Sequence, residues 1–368
     1  MTADVHRSLI DRLYVVAQSG GIAAFDLFDD GSMRPLAGSP YPTGAGTFCI
    51  IASPDRRFVY VAAGMGLGMP ISFRQMYSPQ LITLRVQEDG SLRPVGEPLA
   101  LPRRFTPVSM ALSADGRNLY LGVGRGPAGF FGGKLAHFRV DEQGIPSPVG
   151  DPVRLGRLTD GAAQPIISPD GTHVYVASAI AKSVVRLRIR EDGSLSDPVD
   201  RVLSSGVFPI TPGISPDGRF LYVANEHSQS ITGFRLHEDG SLDELPGSPY
   251  PTGKIPHNPA FSKDGRFVYF ANTFTNTITG YEIQADGALQ PTPGSPYETP
   301  VGPATVTRST DGNWLYLVSS PVFKDGSHVF VTSYHIEGDG RLVPSGHRPE
   351  PTGLRFADGP SAIALPIG

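Results

Sequence analysis

The stretch Ser215-Pro-Asp-Gly-Arg-Phe-Leu-Tyr-Val-Ala-Asn225 decides the fold, because the chain repeats it along its whole length. Asp-Gly is typical of a tight turn, and the alternating apolar residues that follow are typical of a β-strand. Other copies, complete to different degrees, begin at Ser53, Ser113, Ser168, Ser262 and Ser309. The repeated unit is therefore a turn that leads into a strand.

A tyrosine in each unit shows the length of the repeat. These residues are Tyr14, Tyr60, Tyr120, Tyr175, Tyr222, Tyr269 and Tyr316, with spacings of 46, 60, 55, 47, 47 and 47. A second marker, Asp-Gly-Ser-Leu or a variant of it, recurs with the same period, as at 239–242. Repeats of this length are typical of propeller blades. We predict seven units.

Each unit is expected to form four strands, named A to D in chain order. In the fifth unit, strands A, B and C would cover 211–215, 220–225 and 231–236, and strand D would follow the turn at 239–240. No segment has a sustained helical period. The predicted fold is an all-β, seven-bladed β-propeller with four antiparallel strands in each blade.

The two ends of the chain are expected to close the ring. The first strand, 13–17, corresponds to a B strand, and the C-terminal 359–365 corresponds to the A strand at 302–308. The C-terminal segment would then supply the innermost strand of the first blade. Residues 1–368 would form a single domain.

Composition and charge argue against several classes of partner. Hydrophobic residues make up 39% of the chain, charged residues 18%, and the net charge is −4, so no basic surface for nucleic acid is expected. Cys49 is the single cysteine, which excludes an intrachain disulfide and a thiolate metal cluster. No apolar run has the length of a membrane span or a signal peptide. We expect a cytoplasmic monomer that binds a small-molecule substrate and neither nucleic acid nor a membrane.

The loops between strands indicate where function resides. In a four-stranded blade the A–B and C–D turns lie on one face, and the B–C and D–A loops lie on the other. The turns are short and uniform, whereas the longest B–C loops cover 64–79, 124–133 and 319–328. Irregular loops on a rigid scaffold are common sites of function. We call the face of the B–C and D–A loops the mouth.

Two mouth residues are candidates for proton transfer. In each repeat a pair of residues closes the B strand, and Glu226 is the single carboxylate among these seven pairs. Partial burial can raise the pKa of a carboxyl group and so suit it to acid or base chemistry. His257, where a D–A loop enters an A strand, is the second candidate. The alternative is a structural ion pair or a solvated loop residue. The repeated turn aspartates, by contrast, are expected to bond to their own turns.

Further polar residues at the mouth are expected to bind substrate. Arginine side chains suit carboxylate or phosphate groups, so a small anionic ligand is favoured, although each arginine could instead be an ordinary surface residue. The substrate-binding candidates are Arg103, Arg104, Arg125, Arg157, Arg355, Asn225, His227, Asn258, Asn272 and Tyr77. Phe130 and Phe131, together with Phe73 and Met76, would form an apolar lid or pack within their own loops.

No cofactor is expected, because the chain contains no phosphate-binding loop and no Gly-X-Ser-X-Gly, His-X-X-X-His or Cys-X-X-Cys motif. The site would contain no metal. The alternative is a Ca²⁺-type ion in the channel, held by oxygens of Glu226, Asn225, Asn258 and Asn272.

The repeats resemble those of the seven-bladed lactonase family, which includes propeller 6-phosphogluconolactonases and carboxy-cis,cis-muconate cyclases. The segment Val223-Ala-Asn-Glu226, followed by a Ser-rich turn, is similar to the Asn-Glu segment of that family's lactonases. The resemblance implies a lactone hydrolase with Glu226 in its site. Where that family commonly has Pro-Arg-His on the preceding A strand, this chain has Pro209-Ile-Thr211.

Three functions are therefore considered. The first is a lactonase-like enzyme that opens, or forms, the ring of a small anionic substrate at the mouth. The second is a non-catalytic propeller that binds a ligand or protein there, which the loss of Arg-His favours. The third is an isomerase or cyclase built on the same scaffold.

Overall fold

The seven predicted blades are present as seven antiparallel sheets arranged as a propeller. A computed structural model describes residues 7–43, 46–64, 78–103, 105–125, 129–321, 328–356 and 361–367. Each sheet runs from an innermost strand A to an outer strand D, and the strands are numbered here in chain order.

The B strands begin with the first strand of the chain and are β1 (Leu9–Val16), β5 (Phe58–Ala63), β10 (Asn118–Arg125), β15 (His173–Ser178), β19 (Phe220–Asn225), β24 (Phe267–Asn272) and β29 (Trp314–Ser319). The C strands are β2 (Ile22–Phe28), β6 (Gln80–Val86), β11 (Phe131–Val140), β16 (Ser183–Ile189), β20 (Ser230–Leu236), β25 (Thr277–Ile283) and β30 (Phe330–Ile336). The D strands are β3 (Met33–Pro35), β7 (Leu92–Pro94), β12 (Pro146–Pro148), β17 (Leu195–Leu203), β21 (Leu242–Glu244), β26 (Leu289–Pro291) and β31 (Leu342–Pro344).

The innermost A strands surround the channel and are β33 (Ala362–Pro366), β4 (Thr47–Ala52), β9 (Thr106–Leu112), β14 (Pro165–Ile167), β18 (Pro209–Ile214), β23 (Pro256–Phe261) and β28 (Pro303–Arg308). Two-residue strands that also pair with the C strand of their blade are β8 (Leu99–Ala100), β13 (Val153–Arg154), β22 (Tyr250–Pro251), β27 (Tyr297–Glu298) and β32 (Glu350–Pro351). The described residues include no helix that could span a membrane.

The predicted closure of the ring by the C-terminus is confirmed. Strand β33 pairs antiparallel with β1, so that Tyr14 lies opposite Ile363, and the first sheet has the order β3-β2-β1-β33. The observed strand starts at Ala362, and residues 359–360 of the predicted strand lie outside the described residues. The first blade is therefore assembled from both ends of the chain.

Side chains within the repeated turn stabilise it. In blade 5, the Ser215 hydroxyl donates to Asp217 Oδ1 at 2.6 Å and accepts the amide N–H of Phe220 at 3.0 Å. Gly218 takes φ +74°, a left-handed conformation that most residues adopt only at a cost. The carboxylate thus serves the turn, as predicted for the repeated aspartates.

The repeated tyrosines connect neighbouring blades. Buried apolar side chains in the described residues form seven clusters, each between two adjacent sheets. Within this packing the hydroxyl of Tyr222 donates to the carbonyl of Gly287 in the next blade at 2.8 Å. Tyr14, Tyr120, Tyr175 and Tyr269 bond in the same way to Gly90, Gly193, Gly240 and Gly340. Among the described residues, five of the seven blades are therefore fastened in this way to the C–D turn of the next one.

Candidate functional site

The two candidates for proton transfer lie beside each other at the mouth. Glu226 directly follows β19 of blade 5, and His257 is the second residue of β23 in blade 6. Glu226 Oε1 lies 3.7 Å from His257 Nε2. The side chains are 17% and 5% exposed, so the pair is largely shielded from solvent while the carboxylate keeps access to it.

Neighbouring inner strands orient the imidazole of His257. Its Nδ1 lies 2.6 Å from the carbonyl oxygen of Ala304 in blade 7, a group that can only accept a hydrogen bond. The proton of the neutral ring is therefore assigned to Nδ1, which leaves Nε2 as the basic nitrogen facing Glu226. Thr273 donates to the carbonyl of Pro303 at 2.7 Å and packs beside the same ring nitrogen.

The D–A loop that precedes β18 holds the backbone of Glu226. The amide N–H of Glu226 donates to the carbonyl of Phe208 at 3.1 Å, and that of His227 donates to Val207 at 3.2 Å. Phe208 adopts φ +67° and stacks on the His227 ring, with 4.1 Å between ring centres and 9° between planes. Phe130, from the B–C loop of blade 3, packs edge-on against Phe208 at 5.0 Å.

Polar side chains occupy the matching position on the innermost segment of each blade. The strand registers align Cys49, Ser109, Thr211, Asn258 and Thr305 on their A strands, and Gln164 and Ser361 stand just before β14 and β33. Asn258 Nδ2 donates to Gln164 Oε1 at 3.0 Å, a bond from blade 6 to blade 4. This amide pair therefore connects two blades that are not adjacent. Burial raises the pKa of the Cys49 thiol to about 11, so Cys49 stays protonated at neutral pH.

Asn225 and Asn272, expected to bind substrate, have structural positions instead. Both are fully buried. The Asn225 amide nitrogen donates to Thr232 Oγ1 at 2.9 Å, and that of Asn272 donates to Thr279 Oγ1 at 2.8 Å. Each amide ties the end of a B strand to the adjacent C strand, and neither faces the channel mouth.

The predicted cations that the structure describes belong to different blades. Arg103 and Arg125 belong to blade 3, Arg157 precedes blade 4, and Arg355 precedes blade 1; all four side chains are exposed. His227 is also exposed and stacks on Phe208. The predicted candidates Arg104 and Tyr77, with Phe73 and Met76 of the proposed lid, lie outside the described residues. Of the lid residues that are described, Phe130 contacts Phe208, whereas Phe131 begins β11 and is 41% exposed.

The described residues contain no group of three or more His, Cys, Asp or Glu side chains arranged to hold a metal. In the alternative Ca²⁺ set, the side-chain oxygens of Asn225 and Asn272 already accept hydrogen bonds from Ser204 at 3.4 Å and Thr252 at 2.9 Å.

Comparison with known proteins supports the family resemblance. Residues 152–253 match the family described as "Lactonase, 7-bladed beta-propeller". No curated protein matches the chain in sequence. The resemblance to the lactonase propellers is confirmed.

Solved structures extend the likeness in fold to nearly the whole chain. The periplasmic gluconolactonase of Pseudomonas aeruginosa is similar, with a TM-score of 0.77 and 18% identity over 98% of this chain and 100% of that chain. A protein of Bacteroides uniformis proposed to be a 6-phosphogluconolactonase gives 0.77 and 17% identity over 97% and 100%. Identities this low establish the fold alone.

The strand registers show which residues of this chain stand at the positions where the lactonase family commonly has Pro-Arg-His. Pro209 pairs with Asn225 in blade 5, and Pro256 pairs with Asn272 in blade 6. His257 therefore occupies in blade 6 the position that Ile210 has in blade 5. An imidazole reaches Glu226 from the neighbouring strand.

Two contributors were missed by sequence reasoning. Gln164 meets Asn258 across the channel, and Phe208 holds Glu226 through its carbonyl. Nothing in the sequence marks Gln164, because the contact joins blades that are not adjacent. Phe208 could have been noticed as a bulky residue before the proline that opens an A strand.

Proposed function

We propose that this protein is a hydrolase that opens the ring of a small anionic lactone at the mouth, with Glu226 and His257 moving the proton. The observation that carries the proposal is the 3.7 Å approach of Glu226 Oε1 to His257 Nε2, with the other ring nitrogen held by the Ala304 carbonyl. The match to the lactonase family and the gluconolactonase activity named for a structural relative support it.

The geometry suits a water-dependent mechanism. His257 Nε2 would accept a proton from water as the water oxygen adds to the lactone carbonyl carbon. The Glu226 carboxylate would stabilise the imidazolium so formed. The ring C–O bond then breaks, and the departing alkoxide takes the proton from Nε2. One water is consumed, and a hydroxy acid is released.

Exposed arginines at the mouth suit an anionic substrate, although carboxylates share the same loops. The described B–C and D–A connections contain Glu97, Asp151, Asp160, Glu226, Glu298 and Glu350, of which Asp160 is buried and paired with Arg201 at 2.7 Å. Exposed Arg103, Arg157 and Arg355 stand in the same set of loops. An arginine beside the bound lactone would stabilise the oxyanion as it develops.

The assay uses glucono-1,5-lactone and its 6-phosphate, with acid release followed by a pH indicator. Glu226→Gln and His257→Ala are each expected to lower kcat/KM by about 10²–10⁴-fold, the usual contribution of a positioned acid or base. Glu282→Gln, which changes an exposed carboxylate on β25, is the matched control and should keep wild-type activity. Wild-type turnover in both site variants would refute the assignment of these residues.

A second function, binding without catalysis, is favoured by apolar side chains exposed at the mouth. Leu158 and Phe274 are 68% and 53% exposed in a D–A and a B–C loop. If a broad panel of lactones shows no acid release while a ligand or protein partner binds stably, this second function replaces the first. Turnover without incorporation of oxygen from labelled water would instead indicate an isomerase or cyclase.

A further inference from the structure

We infer that Phe208 is a positioning residue that clamps the Glu226-His227 segment and so sets the approach of Glu226 to His257. The inference rests on the proposed function for its effect on catalysis, but the clamp itself is a geometric claim. It begins with the backbone conformation of Phe208, whose φ of +67° is unusual for a residue with a bulky side chain. Strain of this kind persists where the surrounding structure requires it and is concentrated at functional sites.

The strained conformation gives Phe208 two contacts with the site. Its carbonyl accepts the amide N–H of Glu226 at 3.1 Å, which fixes the backbone of the carboxylate. Its ring stacks almost parallel on His227, 4.1 Å away, so the next residue is held as well. Because these contacts hold the chain at Glu226 and at the residue after it, they set the direction from which the Glu226 side chain approaches His257.

The same backbone pattern recurs elsewhere in the ring without the aromatic clamp. In blade 6, Ile255 has φ +55°, and its carbonyl accepts the amide N–H of Thr273 at 3.1 Å. At the start of blade 7, Gly302 has φ +76° and accepts the amide N–H of Ser320. The left-handed residue is therefore a general device for joining a D–A loop to the end of a B strand. The blade that carries Glu226 adds an aromatic stack to it.

A residue from a distant blade supports the clamp. Phe130 lies in the B–C loop of blade 3 and meets the edge of Phe208 at 5.0 Å, with 66° between the ring planes. Edge-to-face aromatic pairs are a favoured packing geometry. Phe208 is thus held between Phe130 on one side and His227 on the other. This arrangement places the predicted lid residue Phe130 in a supporting role.

The test compares two glycine variants at equivalent positions. Phe208→Gly keeps access to the left-handed conformation but removes the ring, and Ile255→Gly makes the same kind of change beside Thr273. We expect Phe208→Gly to lower kcat/KM by about tenfold, mostly through kcat, since small displacements of catalytic groups have effects of this order. Ile255→Gly, which changes a residue whose carbonyl holds Thr273 beside His257, should lower kcat/KM less than Phe208→Gly. Phe208→Tyr, which can stack on His227, should restore activity.

A readout without turnover separates the clamp from the proposed function. The ¹⁵N chemical shifts of the His257 ring report its contact with Glu226 and should change more in Phe208→Gly than in Ile255→Gly. His227→Ala, an exposed substitution that removes the other half of the stack, should change them in the same direction and keeps the test valid if Phe208→Gly does not fold.

The outcomes are distinct. Unchanged shifts and unchanged kinetics in both Phe208→Gly and His227→Ala would overturn the clamp. Equal effects in Ile255→Gly would also overturn it, because the aromatic stack would then be irrelevant. Changed His257 shifts in a protein that hydrolyses no lactone would support the clamp and refute the proposed function.

Discussion

At the scale of single residues, the contribution of the buried asparagines at the ends of two B strands to stability can be measured. The Asn225 amide donates to Thr232 Oγ1, and its oxygen lies 3.4 Å from the hydroxyl of Ser204, which donates to it. Asn225→Ala would remove the amide from this network, in which Ser204 Oγ and Thr232 Oγ1 also bond to each other at 2.9 Å. We expect a loss of about 1–3 kcal/mol in the free energy of unfolding, measured by urea denaturation.

The matched variant for this position comes from the repeat itself. Ser178 occupies the equivalent position in blade 4, so Asn225→Ser introduces a residue that the scaffold already accepts there. We expect Asn225→Ser to lose less stability than Asn225→Ala. Equal stability of Asn225→Ala and the wild type would show that the amide network contributes nothing.

Residues of the candidate site differed in how well the sequence revealed them. Glu226 could be singled out because it breaks a pattern that its sibling repeats keep, and His257 because it opens a neighbouring A strand. Asn225 looked equally suitable, yet its side chain turns into the blade, and a strand-end position alone does not tell which way an amide faces. Gln164 could not be found, since its contact with Asn258 depends on the diameter of the channel.

At the scale of the element, the A–B turn of blade 2 contains a residue that is unfavourable in the backbone conformation the turn requires. Arg56 stands where the other Ser-Pro-Asp-Gly turns have glycine, and it is held at φ +62°. Arg56→Gly should stabilise the protein by about 0.5–1 kcal/mol, because glycine adopts this conformation without steric cost. Thermal or urea unfolding would measure the gain.

Gly171 gives the reverse experiment in blade 4. It has φ +73°, and a Cβ added there would meet no atom within 4 Å, so Gly171→Ala tests backbone strain alone. We expect a loss of about 1 kcal/mol. If Arg56→Gly and Gly171→Ala are both neutral, left-handed strain does not limit the stability of these turns.

The same turns predict a response to acid. Partial burial acts to raise the pKa of Asp217, but hydrogen bonds from Ser215 and Arg219 outweigh it and lower the pKa below the usual 3.8. A carboxyl with a lowered folded-state pKa contributes stability above the unfolded value and loses it as the pH falls through the folded value. Asp55, Asp115, Asp170 and Asp264 behave alike. The melting temperature should therefore fall steeply below about pH 4.

Asp217→Asn removes one of these carboxyls. The melting temperature of this variant should fall slightly less between neutral and acid pH, and its stability at neutral pH should be slightly lower. Melting curves between about pH 2 and 7 would record both effects. If the melting temperature of Asp217→Asn depends on pH as it does in the wild type, other carboxyls dominate acid unfolding.

At the scale of the whole molecule, the tyrosine contacts between blades provide an internal comparison. Tyr222→Phe removes the bond to the Gly287 carbonyl and leaves that buried acceptor unpaired. We expect a loss of about 0.5–1.5 kcal/mol. The hydroxyls of Tyr60 and Tyr316 have no hydrogen-bond partner among the described residues, so Tyr60→Phe should be close to neutral. Similar losses for Tyr222→Phe and Tyr60→Phe in urea unfolding would contradict this interpretation.

The architecture was predictable because one short pattern recurs seven times. The turn, the strand after it and the tyrosine each fix the same register, and the C-terminal segment has the pattern of the strand that the first blade lacks. The contacts between blades were less accessible. That Tyr14 and Tyr222 reach a glycine carbonyl while Tyr60 does not depends on how two neighbouring sheets twist against each other.

Closure of the first sheet by β33 has a consequence for synthesis. On the ribosome β1 emerges before the strands of the other six blades, and its inner partner β33 emerges after them. While those blades are synthesised, the inner edge of β1 has backbone groups without their native partner, and such edges pair readily with foreign strands. The blade that is begun first is thus completed last, and the nascent chain carries an edge that favours aggregation until β33 is made.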